Sequence, residues 1–289
     1  MRGDAMIPDV ALFEVGPRDG LQSRGGMVST ESKIDLIDGL SRSGFRRIEA
    51  TSFVSPRWVP QMADAAEVMA GIERCPGLRY AALTPNLTGF ERALAAGCDE
   101  VAVFASASEG FSRANLNCSI EESFARFAPV LAAAKDADVP VRSYLSMVIA
   151  CPFDGPTDPA VAAHWAHRLI EAGCYEVSLG DTIGAGTPDT LDALLRTLLV
   201  DIAPDRLAGH FHDTTGHAAE LVALSLERGL RCFDASVAGL GGCPYAPGAP
   251  GNVDTRRVLE VVEAHGLSHG IDLDALARAE TIARGLTRD

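Results

Sequence analysis

The stretch Leu207-Ala208-Gly209-His210-Phe211-His212, followed by Ala218 to Glu227, Arg228-Gly229-Leu230 and Phe233 to Val237, decides the fold. A short apolar run gives way to apolar residues at helical spacing, a glycine stops that helix, and a second short run begins. Working outward, the unit recurs. Strands are predicted at Val10–Val15, Arg47–Thr51, Tyr80–Thr84, Glu100–Ala105, Val141–Ile149, Tyr175–Leu179, Leu207–His212 and Phe233–Val237. Helical spacing fills Ser29–Ser41, Gln61–Ile72, Ile120–Lys135, Ala160–Ala172, Pro188–Leu199 and Ala218–Glu227. Gly44, Gly97, Gly173 and Gly229 each end a helical stretch just before a strand, where a left-handed cap is expected. Eight such units predict an α/β fold, a (β/α)8 TIM barrel in a single domain. The barrel is expected over about residues 8–268, with a further helix near Asp254–Ala264 and a terminal helical segment in 269–289. An open doubly wound sheet is the alternative. No Gly-x-Gly-x-x-Gly follows the first strand, so neither a nicotinamide nor a flavin cofactor is expected.

The 289 residues carry a formal net charge of −14, which argues against a broad nucleic-acid surface. The beginning of the chain lacks the apolar core of a signal peptide, and no apolar run approaches the roughly 20 residues of a membrane helix. A soluble, cytoplasmic protein with no membrane partner is the expectation. The seven cysteines are scattered and never form Cys-x-x-Cys, so neither a disulfide framework nor a cysteine zinc site is supported.

In such barrels the reactive groups sit at the carboxyl ends of the strands. Arg18 and Asp19 follow the first strand, Glu49 and Ser52 close the second, and Arg142 lies on the fifth. Ser178 and Asp181 end the sixth, and His210 and His212 end the seventh. Residues two apart on a strand share a face, so the two imidazoles point together and Phe211 points away. They form half of a candidate metal site that a carboxylate and an amide from elsewhere could complete. Asp19 alone reads equally as a helix cap, and Asn252 as an amide ligand or the cap of the next helix. The glycine- and proline-rich segment from Gly239 to Asn252 reads as a lid over the mouth, with Cys243 upon it.

Taken as a set, Glu14 to Gln22, Ile48 to Pro56, Leu83-Thr84-Pro85-Asn86, Ser178 to Gly184, His210-Phe211-His212-Asp213-Thr214 and Val237 to Asn252 resemble the hydroxymethylglutaryl-CoA lyase family over nearly the whole chain. The Arg-Asp-Gly triplet alone would also admit isopropylmalate and homocitrate synthases. The resemblance implies a metal-dependent barrel that cleaves 3-hydroxy-3-methylglutaryl-CoA to acetyl-CoA and acetoacetate, as in leucine degradation, and a possible homodimer. It implies that Asp19, His210, His212 and Asn252 hold the cation and that Arg18 steadies the thioester oxygen as it becomes an enolate. Cys243 would act in proton transfer, while Glu49, Ser52, Asp181, Ser178, Asn115 and Arg142 match polar positions around the substrate. Arg142 is a candidate partner for the free carboxylate of the substrate.

Breaking the C2–C3 bond requires removal of the C3 hydroxyl proton and a home for the charge on the departing enolate. Asp181 or water could serve as base. The ligand set suits Mg2+ or Mn2+, with Zn2+ less favoured. The chain departs from the family where Arg256-Arg257 replace an acidic pair, where Thr215 replaces a tyrosine, and at Ser23-Arg24. These departures leave the acyl-CoA open to a bulkier 3-hydroxyglutaryl-CoA such as the isohexenyl derivative; a condensing synthase acting on a 2-keto acid is a separate alternative, and a non-catalytic binding barrel is the third, favoured only if Arg256 and Arg257 disable the site. Arg24, Arg57 and Arg113 are candidate cations for the CoA phosphates.

Overall fold

Alternation along each strand sends one set of side chains to the barrel axis and the other to the surrounding helices. The computed structural model describes residues 8–286 except 23, 25, 244 and 245, with backbone alone at 243 and 246–250. The strands β1 (Ala11–Glu14), β2 (Arg47–Ser52), β3 (Arg79–Leu83), β4 (Glu100–Ser106), β5 (Val141–Ser146), β6 (Glu176–Asp181), β7 (Leu207–Phe211) and β8 (Cys232–Ala235) close into a parallel barrel. Closure joins β1 to β8 in the register Ala11 opposite Cys232.

Outward residues such as Ile48, Val101, Val103, Leu145, Val177, Leu179, Phe211 and Phe233 are buried against the helices. Each such side chain contributes roughly 1.5–3 kcal/mol on burial. The helices are α1 (Thr30–Ser41), α2 (Ala65–Gly71), α3 (Leu87–Ala95), α4 (Glu109–Leu116), α5 (Ile120–Asp136), α6 (Pro159–Glu171), α7 (Pro188–Leu198), α8 (Ala218–Glu227), α9 (Thr255–Ala264) and α10 (Leu273–Leu286). Side-chain caps start several of them: Ser29, Asn86, Ser108, Asp158 and Asp254 each accept a backbone N–H, and Ser119 with Glu122 forms a reciprocal capping box. Gly44, Gly97, Gly173 and Gly229 all have positive φ, as the caps require.

Inside the barrel, β1 and the residue after it, β3, β4 and β5 contribute the apolar cluster of Phe13, Val15, Ala81, Leu83, Ala102 and Tyr144. Beside it lies a buried ion network. Arg47 reaches Glu176 (3.1 Å) and the Cys232 thiol (2.8 Å), and Arg142 reaches Glu176 (2.6 Å) and both oxygens of Asp234. Both guanidinium groups lie over the Phe13 ring, at 5.0 and 4.3 Å. The layers of Val, Ile and Leu usual in such barrels are here partly ionic.

Three local differences from the sequence reading have physical causes. The fifth strand stops at Ser146 instead of Ile149, because Met147 turns to φ +60° and gives its N–H to the Thr182 hydroxyl; Ala150–Cys151 then pairs antiparallel with Gly155–Pro156. The Gln61–Ile72 helix starts only at Ala65, since Pro60–Met62 forms a 3-10 turn. Helix α4 was not assigned from the sequence, and α3 only by its stop at Gly97; each is short and depends on its cap, Asn86 or Ser108.

Candidate active site

After β1 the chain makes a wide turn, Gly16–Gly20, in which the Val15 carbonyl accepts N–H groups from Arg18 (3.1 Å), Asp19 (2.8 Å) and Gly20 (3.2 Å). Such π-type turns recur at functional sites. This one brings Arg18 and Asp19 to the barrel mouth. Glycine is required at position 20, because a Cβ there would lie 2.8 Å from Leu240 Cβ and 2.9 Å from the Leu240 carbonyl oxygen.

The alternation along β7 delivers His210 and His212 to the same mouth, with ring centroids 5.4 Å apart, while Phe211 packs outward. Residues 251–253 run back beside the ends of β7 and β8: Asp213 N–H bonds Gly251 O (2.7 Å), Val253 N–H bonds Phe211 O (3.0 Å) and Ser236 N–H bonds Val253 O (3.0 Å). That path places Asn252 opposite His212. Asp19, His210 and His212 each offer one ligand atom, all within 4.8 Å of one another. Asn252 donates its amide to Asp19 Oδ2 at 2.8 Å.

Burial pushes the Asp19 carboxyl up, but the charges of Arg18 and the two histidines outweigh it and hold it down at about 2. Burial and the neighbouring His210 push the His212 imidazole down to about 4, so it is neutral near pH 7. Its Nδ1 is buried without a hydrogen-bond partner among the described residues. One carboxylate, two imidazoles and a carboxamide around a buried orphan nitrogen are a donor set that fits a divalent cation. Presenting the Asn252 oxygen to such an ion needs a half-turn of its carboxamide, at the cost of its hydrogen bond to Asp19.

Arg18 is locked beside this cluster. Its Nε donates to Glu49 Oε2 (2.6 Å), Nη1 pairs with Asp19, and the guanidinium stands 5.0 Å above the Tyr144 ring. The Tyr144 hydroxyl donates to the same Glu49 oxygen at 2.8 Å. Glu49 therefore stands behind Arg18, fully buried; burial pushes its carboxyl up against the opposing charge of Arg18. Tyr144 was not singled out in the sequence, although it lies two residues beyond Arg142 and so on the same strand face.

The cavity above is about 1240 Å³, larger than a typical small-ligand pocket. Its floor holds Arg18, Asp19, His210 and His212; its walls include Leu83, Phe104 and Phe111, and its outer rim Arg24, Arg113, Asn115, Arg126 and Trp58. Arg57 is exposed and outside this lining. Asn115 thus takes part at the rim, on α4.

Other expected pocket residues sit elsewhere. Arg142 is not at the rim. It is the second residue of β5, is fully buried and is held by Glu176 and Asp234 beneath the mouth. Ser178 also lies in that layer and donates to Asp234 at 2.6 Å. Ser52 is buried and donates to Leu83 O at 3.3 Å. Asp181 turns away from the cavity to accept the N–H groups of Ala185 (3.0 Å) and Gly186 (2.8 Å), while burial pushes its carboxyl up. Cys243 has its backbone paired with Ala246 in a short antiparallel ladder, and its thiol falls outside the described side chains. Arg256 reaches Glu280 on α10 (2.7 Å) and Arg257 reaches Glu260 (3.0 Å); neither lines the cavity.

A closed (β/α)8 barrel whose carboxyl-terminal mouth gathers a carboxylate, two histidines and a braced arginine over a deep cavity is a barrel enzyme. The chain belongs to the HMGL-like family, which it matches over residues 9–282. It is 54% identical to the hydroxymethylglutaryl-CoA lyase of Pseudomonas mevalonii over 93% of this chain and 89% of that one. It is also 54% identical to the 3-hydroxy-3-isohexenylglutaryl-CoA/hydroxy-methylglutaryl-CoA lyase of Pseudomonas aeruginosa, over 93% of this chain and 90% of that one. The crystal structure of the HMG-CoA lyase from Brucella melitensis superposes with a TM-score of 0.96 at 53% identity, covering 98% of this chain and all of that one. Among the described residues, no helix is long and apolar enough to cross a membrane.

Proposed function

We propose that this chain is a divalent-cation-dependent carbon–carbon lyase that cleaves 3-hydroxy-3-methylglutaryl-CoA to acetyl-CoA and acetoacetate. The observation that carries the proposal is the convergence of Asp19, His210 and His212 within 4.8 Å on the floor of the cavity. The relatives named above support the substrate class. Asp19, His210, His212 and the carboxamide of Asn252 are assigned as the ligands of Mg2+ or Mn2+, which when bound would acidify the tertiary hydroxyl of the substrate.

Arg18 is assigned to the thioester oxygen. Its fixed pose, braced by Glu49 and the Tyr144 ring, needs no reorganisation when charge develops there, which is the condition for large electrostatic stabilisation. Glu49 acts through Arg18. Cys243 is assigned, from the family resemblance, to delivering the proton that turns the enolate into acetyl-CoA. The rim arginines Arg24, Arg113 and Arg126 are positioned to meet an anionic CoA moiety entering from solvent.

The test is product analysis with 3-hydroxy-3-methylglutaryl-CoA, with and without a chelator and added Mg2+ or Mn2+. Equal formation of acetoacetate and acetyl-CoA, lost on chelation, is expected. Tight thioester binding without turnover would replace this reading with a binding barrel. A second reading is favoured by the isohexenyl relative at the same identity. Parallel assay of the isohexenyl thioester decides whether that substrate is accepted.

A further inference from the structure

Asp234 is fully buried, has no contact with the cavity, and is the register partner of His210 on the neighbouring strand. Its Oδ1 pairs with Arg142 Nη2. Its Oδ2 meets Arg142 Nη1 (3.1 Å), the Ser178 hydroxyl (2.6 Å) and His210 Nδ1 (3.0 Å). A carboxylate gripped this way by a guanidinium only accepts hydrogen bonds. Neutral His210 can therefore complete the contact only with its proton on Nδ1, which leaves the lone pair on Nε2. That nitrogen faces Asp19, with Nε2 3.9 Å from Oδ2. Among the described residues, His212 has no such brace.

We propose that Asp234, clamped by Arg142, is the positioning residue that fixes His210 in the Nδ1-protonated tautomer with Nε2 turned into the barrel mouth. Carboxylates behind ligand histidines set ring orientation and raise ligand basicity. The arrangement thus carries the buried ion network of the barrel interior directly into the candidate metal centre. The inference rests on the metal reading above, but its first test needs no metal.

In the metal-free protein at alkaline pH, 15N NMR of histidine-labelled material, assigned with His210→Gln, should show His210 protonated at Nδ1. An Nε2-protonated ring in the unaltered protein would overturn the proposal, and this holds whether or not any variant folds. Asp234→Asn is the informative substitution. Arg142 donates to both carboxylate oxygens, so in either orientation the new amide NH2 opposes a guanidinium N–H, and the acceptor behind His210 loses its charge and its clamp. Mn2+ affinity, read by electron paramagnetic resonance, should then fall about 10- to 100-fold. Arg47→Met, in the same network without contact to Asp234 or His210, should lose thermal stability while keeping both the tautomer and the affinity. If unaltered protein binds Mn2+ and Asp234→Asn binds it equally well, the positioning role is wrong. If the unaltered protein binds no cation, the metal reading fails, and the tautomer measurement still decides the role of Asp234.

Discussion

Glu14 shows how one buried carboxyl can set a pH dependence for the whole chain. It is fully buried, accepting the N–H groups of Gly16 and Val237 on Oε1 and the Thr255 hydroxyl on Oε2. Burial pushes it up to about 7, with those hydrogen bonds opposing. In the unfolded chain a glutamate releases its proton near pH 4.3. Between that point and pH 7 the folded form holds a proton the unfolded form has lost, so stability present below the window is lost as pH rises through it, by on the order of a few kcal/mol. Urea unfolding should show a steeper fall between about pH 4.5 and pH 7 for the unaltered protein than for Glu14→Gln, whose amide oxygen can keep accepting the Gly16 and Val237 N–H groups while its NH2 turns the Thr255 hydroxyl from donor to acceptor. Equal slopes would reject the assignment. Arg142 makes a second prediction at this scale. Removing a buried partner strands Asp234 and Glu176, so Arg142→Met should cost about 3–5 kcal/mol of stability. If it instead bound the substrate carboxylate, as expected from the sequence, the variant would keep its stability and raise KM. The sequence exposed Arg142 as unusual but could not say how deep it lay, because depth along a strand depends on where the strand ends.

At the scale of elements, the helix cap considered at Asn252 is supplied instead by Asp254, but the glycine stops were legible, since they are local chemistry. Gly44 illustrates why. It ends α1 at φ +90°, and a Cβ there would stand 2.4 Å from the Gly270 carbonyl oxygen, in the loop leading to α10. Gly44→Ala should lose about 2 kcal/mol or more in calorimetry, by backbone strain together with the clash. A change below a few tenths of a kcal/mol would mean the loop simply moves aside. The His210/His212 pair was equally legible from period-two alternation. Long-range placement was not. Asp181 was correctly put at a strand end while Ser178 lies mid-strand, and their partners, the Ala185 and Gly186 amides and Asp234, are defined only once the barrel closes. Tyr144 and Asp234 were missed for the same reason. Their significance lies in a neighbouring strand.

For the whole molecule, the candidate ligands come from the turn after β1, the end of β7 and the segment before α9, which are far apart in the chain. An ion bound by all three ties the first and last thirds of the barrel together, and anything that binds only the folded state stabilises it. Mn2+ at about 100 times its dissociation constant should add about 2.7 kcal/mol. By differential scanning fluorimetry this reads as a Tm rise of several degrees, reversed by chelator and abolished in His212→Ala. A metal-independent Tm would remove the ligand assignment. Arg256 belongs to this scale too. Its partner is Glu280 on α10, so this arginine fastens two helices to each other instead of entering the cavity.

The charged centre of this cylinder also bears on how the protein can change over generations. Where the middle of a barrel is oily, substitutions there alter volume and are repaired by neighbours of compensating size. Here Arg47, Arg142, Glu176 and Asp234 are interlocked by sign and direction, so a single replacement has no simple repair. In a saturation library selected for folding alone, these four sites should tolerate fewer residues than the exposed Trp58 at the lip of the cavity.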